Sequence, residues 1–141
     1  MGHPLHAPFT HFPLALWVAA FLGDLVHAGW GGEFWRAFSF WNIAFGMGFG
    51  IVTATTGFYD LMKIPDGKTE ALRTGIFHMG VMLAAFCLFG ASLYFHREAP
   101  AAEPWRPLPG LLLSGSGTLV LLFGGWLGGQ LVYRHGVGYD R

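Results

Sequence analysis

A chain of 141 residues can form one domain, but 53% hydrophobic residues, only 11% charged residues and a mean hydropathy of +0.46 exclude an ordinary water-soluble one. Eight basic and eight acidic residues cancel, and no basic run exceeds a pair, which argues against nucleic acid and against a polybasic site for lipid headgroups. The lone Cys87 excludes an internal disulfide, a cysteine-based zinc site and the covalent attachment of a c-type haem.

In chain order, the opening MGHPLHAPFTHF lacks the positive start and small-residue cleavage site of a signal peptide, so the first apolar segment is expected to stay as a membrane anchor. A helix needs about 20 largely apolar residues to cross a bilayer core of roughly 30 Å. Four stretches qualify, over 12–30, 38–62, 72–95 and 108–133. Between them lie GGEFWR, KIPDGKTEALR and HREAPAAEPWRPLP, whose glycines, prolines and charges stop helices and favour water. The expected fold is all-α: a single-domain, integral membrane, four-helix up-and-down bundle over residues 1–141.

Four spans return both termini to one side, here called face A. Face A carries Lys63, Lys68, Arg73, Arg134 and Arg141, against Arg36, Arg97 and Arg106 on face B. The positive-inside bias therefore predicts face A and both termini in the cytoplasm, with the protein in the bacterial inner membrane. Trp30, Trp35, Trp41 and Trp105 fall at face B, as an interfacial aromatic belt does. Gly46 with Gly50, Gly124 with Gly128, and Gly125 with Gly129 are spaced four apart; close helix packing is the favoured reading, and clearing room for a flat cofactor the rarer one.

The same topology gathers His3, His6, His11, His78 and His135 at face A, with Asp60 among them. Polar groups inside lipid are expensive without partners. Pro13 suits the first turn of the first helix and leaves His11 at its mouth, while Pro4 and Pro8 stiffen the segment bearing His3 and His6. His78 lies within the third span and is the strongest single ligand candidate. Any one of these histidines is more readily read as a satisfied interfacial side chain, but their convergence favours a site. Imidazole ligates haem iron and transition metals, and Asp60 is placed either to orient a ligand ring or merely to pair with Lys63 at a helix end. At face B, His27 and His96 abut loop residues and are expected to be solvated, with Asp24 hydrogen-bonding in the bundle or pairing with His27. A second haem there is disfavoured because His11 and His27 fall on different faces of one helix. No GxSxG, HExxH or phosphate-binding glycine loop is present, so hydrolase and ATPase readings lack support.

GHPLHAPFTHFPLAL (Gly2 to Leu16), Gly23-Asp24-Leu25, Thr56-Gly57-Phe58-Tyr59-Asp60, His78 and GGQLVYRHGVG (Gly128 to Gly138) together resemble the bacterial membrane family called domain of unknown function 2231. The resemblance spans nearly the whole chain. Its pattern covers His3, His6, His11, Asp24, Asp60, His78 and His135, and leaves out His27 and His96. Some members look like membrane partners of Rieske iron-sulfur domains, which implies electron transfer and favours a b-type haem; this chain has no Rieske ligand pattern of its own.

The reading that follows is a membrane electron-transfer protein with one b-type haem held by two imidazoles, best His11 with His78, with His135 or His6 as replacements for His11, and Asp60 behind them. Electrons would pass to or from a quinone, a Rieske-type partner or another redox protein. Two alternatives use the same residues or surfaces: a non-haem iron, copper or zinc site of His and Asp, and a cofactor-free accessory subunit of a larger respiratory or photosynthetic membrane complex. The contacts expected are with lipid and with another redox protein or a second copy, and none with nucleic acid; the protein is expected to be a carrier or subunit more than an enzyme by itself.

Overall fold

The computed structural model describes residues 6–65, 67–97 and 107–137. These form four helices, α1 (His6–Trp30), α2 (Glu33–Met62), α3 (Thr69–Arg97) and α4 (Pro107–Tyr133). All four are long and apolar enough to cross a membrane. α1 packs chiefly on α2 and α3 on α4, and the two hairpins meet through α2 with α3 and α1 with α4, which closes an up-and-down four-helix bundle.

The inner stripe of each helix repeats at spacings of three and four residues, the pattern of helices packed nearly parallel. α1 buries Pro13, Trp17, Ala20 and Asp24, and α2 buries Ser39, Ile43, Gly46, Gly50 and Thr53. α3 buries Ala85, Phe89, Ser92 and His96, and α4 Ser114, Leu121 and Leu127. Small and polar residues dominate these seams while large apolar ones such as Phe45, Leu83, Leu119 and Trp126 face outward. Lipid is as apolar as leucine, so association rests on close packing rather than on removing apolar surface from water. At the centre Trp17 stacks on Phe89 with ring centroids 4.7 Å apart, between Ala20, Ile43, Ala85 and Leu121.

The glycine pairs read from the sequence divide in the structure. A Cβ at Gly46 would come within 2.3 Å of the Trp17 indole, and one at Gly124 within 2.5 Å of the Met82 sulfur, so these positions are close-packed against side chains of a neighbouring helix. Gly125 meets nothing within 4 Å and Gly129 only Tyr133 of its own helix.

Helix ends follow local chemistry. Gly31 and Gly32, at φ 73° and 95°, make the turn from α1 to α2, so α2 begins at Glu33, one turn before the apolar run at Phe38. Pro107 and Pro109 open α4, where missing N–H groups go unnoticed because the first turn has no intrahelical acceptors. α1 departs furthest from expectation. It starts at His6, which puts Pro13 inside the helix rather than in its first turn. Pro13 cannot donate to the carbonyl four residues back, that of Phe9. The Thr53 hydroxyl of α2 donates to that carbonyl instead, at 3.2 Å.

Candidate functional site

The hydrogen bond from Thr53 ties the first turns of α1 to α2 and thereby seats His6. The Nδ1–H of His6 donates to the Thr53 carbonyl at 2.9 Å, and the ring lies on Gly57, where a Cβ would come within 2.8 Å of it. A carbonyl only accepts, so Nδ1 carries the proton and Nε2 is left as the basic nitrogen.

His78 repeats this arrangement in the other hairpin. Its Nδ1–H donates to the Gly124 carbonyl of α4 at 2.9 Å, and its ring lies on Gly128, where a Cβ would stand 3.3 Å away. Again Nε2 is the bare nitrogen. Among the described residues neither Nε2 has a hydrogen-bond partner. Face A therefore presents two half-buried imidazoles, one per hairpin, in the same tautomer, each fixed by a backbone carbonyl and each seated on a glycine.

The remaining face A residues take other places. His135 lies beyond α4, where nested bonds from Gly136 N–H to the Val132 carbonyl and Val137 N–H to the Leu131 carbonyl close the helix on Gly136 at φ 64°. Its Nε2 is 3.3 Å from the Thr74 hydroxyl, which itself donates to the Glu70 carbonyl. Nε2 of His135 is thus the protonated nitrogen, the opposite tautomer from His6 and His78. His11 is exposed on α1, on a different face from His6. Asp60 is half-buried and, among the described residues, its carboxylate bonds to no histidine; Lys63 sits over the Tyr59 ring, 3.9 Å from its centroid, rather than on Asp60. The carbonyls of Thr53 and Gly124 orient the inner rings. His3 lies outside the described residues.

Face B corrects the sequence reading. His96 is not solvated: it is 8% exposed, and Asp24, 4% exposed, pairs with it rather than with His27. His96 Nε2 stands 2.7 Å from Asp24 Oδ1, and the Ser114 hydroxyl donates to Asp24 Oδ2 at 2.6 Å. His96 Nδ1 donates to the Ser92 carbonyl at 2.7 Å, and the Ser92 hydroxyl to the Gly110 carbonyl at 2.8 Å. His27 instead donates from Nδ1 to the Gly32 carbonyl at 3.1 Å, closing the turn that follows α1. Both nitrogens of His96 are occupied, so it offers no lone pair to a metal.

The family described as "Predicted membrane protein (DUF2231)" matches residues 2–141. The chain belongs to this family. No curated protein matches it, and no solved structure does. The DUF2231 chain is thus a membrane protein in contact with lipid, and its histidines are read from its own geometry. Sequence reasoning passed over His96 because its neighbour Arg97 suggested water. The signal available was the polar residues Ser92 and His96 four apart on α3, facing Ser114 and Thr118 four apart on α4.

Proposed function

We propose that this protein is a membrane electron-transfer protein in which His6 and His78 would hold one b-type haem. The observation that carries the reading is the matched pair of rings at face A, each donating from Nδ1 to a helix carbonyl and each keeping Nε2 without a protein partner among the described residues. A ligating histidine needs this arrangement, since a bond at one nitrogen fixes the tautomer and raises the basicity of the other. Two imidazoles are a ligand set that haem iron takes. Non-haem iron, copper or zinc commonly takes three or more protein ligands, and among the described residues no group of three His, Cys, Asp or Glu is placed to hold a metal.

Haem, when bound, supplies one-electron chemistry. The chain's part is to hold the rings. Thr53 anchors His6 to α2, and Gly124 anchors His78 to α4, so each ligand is fixed within its own hairpin. The partial burial of both rings, with ligand identity, would tune the potential. With the group bound, electrons would pass to or from a quinone or a Rieske-type partner, in the bacterial inner membrane with face A cytoplasmic.

In protein purified from haem-replete cells, His6→Ala and His78→Ala should each abolish the reduced-minus-oxidised b-type spectrum while insertion is kept. His11→Ala and His27→Ala should leave that spectrum unchanged. Wild-type protein of normal helicity without a Soret band would overturn the proposal and favour the cofactor-free subunit.

A further inference from the structure

The buried pair at face B is independent of the face A site, and its hydrogen bonds count its protons. His96 Nδ1 faces the Ser92 carbonyl, which only accepts, so Nδ1 must carry a hydrogen. The other nitrogen stands 2.7 Å from a carboxylate oxygen. Two bare acceptors at that distance repel, so a second hydrogen lies between Nε2 and Asp24 Oδ1. The pair therefore holds one proton more than a neutral imidazole beside a carboxylate, and is uncharged as a unit.

We propose that Asp24 and His96 form an internal proton-binding site at the face B end of the bundle, taking one exchangeable proton from water on that side and returning it there. No electrons move. Uptake forms the bond between the proton and the pair; release gives the proton to water and leaves a bare Nε2 beside a carboxylate. The surroundings suit this role. Ser114 donates to Asp24 Oδ2, so the second carboxylate oxygen is also satisfied inside the bundle. From α2, Arg36 donates to the His96 carbonyl at 2.8 Å, while its own charge is met by Glu33. On α1, His27 is engaged with the Gly32 carbonyl; from α4, the described residues contribute Ser114 and backbone.

A structural clamp does not need ionisable groups. Ser39 to the Ala20 carbonyl and Ser92 to the Gly110 carbonyl tie helices together in this same bundle with neutral partners. An acid and an imidazole in the same role carry a desolvation penalty that hydroxyls avoid. Their chemical advantage over hydroxyls is that they exchange a proton near neutral pH.

The test uses the full chain, labelled with 15N-histidine and reconstituted in lipid nanodiscs at about pH 8, above the unperturbed imidazole range. Expected is either a His96 ring with both nitrogens protonated, assigned by its loss in His96→Gln, or a protonated-carboxyl infrared band that disappears in Asp24→Asn. Asp24→Asn should also return His96 to a neutral ring protonated at Nδ1. A wild-type His96 with bare Nε2 and no such band overturns the proposal. If Asp24→Asn fails to insert, Ser114→Ala keeps it falsifiable, because it retains the pair: the same proton signature should survive there, with faster exchange against deuterated buffer, and its loss would count against the pair as the binding site.

Discussion

Gly48 and Gly57 are both glycines of α2, but their surroundings differ. A Cβ at Gly57 would stand 2.8 Å from the His6 ring, whereas Gly48 meets nothing within 4 Å. Gly57→Ala should displace His6 and cost roughly 1–3 kcal/mol, as overpacking does, with the b-type spectrum reduced alongside. Gly48→Ala should leave stability unchanged or raise it by up to about 1 kcal/mol, the difference in helix propensity. Equilibrium unfolding in detergent separates the two. Trp17 offers a second case: its Nε1 is buried with no partner among the described residues, at a typical cost of about 1–3 kcal/mol. Trp17→Phe keeps the stack on Phe89 and removes that unmet donor, so it should change stability by about 1 kcal/mol or less, against roughly 3–5 for Trp17→Ala.

At the scale of the elements, Pro13, Phe9 and Thr53 form a compensated defect. The proline removes a donor to the Phe9 carbonyl, and the Thr53 hydroxyl replaces it from α2. Thr53→Val should therefore cost about 1–3 kcal/mol, the range for leaving an acceptor inside the protein unmet, and Thr53→Ser should recover most of it. In a Pro13→Ala background the helix supplies its own N–H to Phe9, so Thr53→Val should cost less there. A double-mutant cycle with coupling near zero would show that the hydroxyl does not serve the proline break. The same element governs the site, since the residue that repairs α1 also accepts from His6.

At the scale of the whole molecule, two hairpins each bring one imidazole to face A, and the Asp24, His96 and Ser114 network joins α1, α3 and α4 at face B. Four crossings return the chain to its starting side. Reporter fusions at residue 1 and residue 141 should localise to the same side of the membrane, and opposite sides would contradict the topology. Because packing between helices rests on small residues and buried polar contacts, Gly46→Val, which thrusts a side chain into Trp17, should lower thermal stability in lipid more than any single change on the outward face of α2.

Composition, apolar run length and turn residues were enough to specify four membrane helices, since the bilayer demands about 20 apolar residues per crossing and internally bonded backbone throughout. The sequence also put His6, His11, His78 and His135 toward one face, because topology assigns each helix end to a side. Tertiary structure decided which of them face inward. A helix turns about 100° per residue, so a start at His6 rather than near Phe12, with Pro13 repaired by Thr53, directs His6 into the bundle and leaves His11 outside. Tertiary structure likewise decided that His96 is buried against Asp24 from a helix 72 residues away in sequence. Local composition near Arg97 reads as water, and only the packing of α1, α3 and α4 supplies the carboxylate that makes burial of that ring affordable.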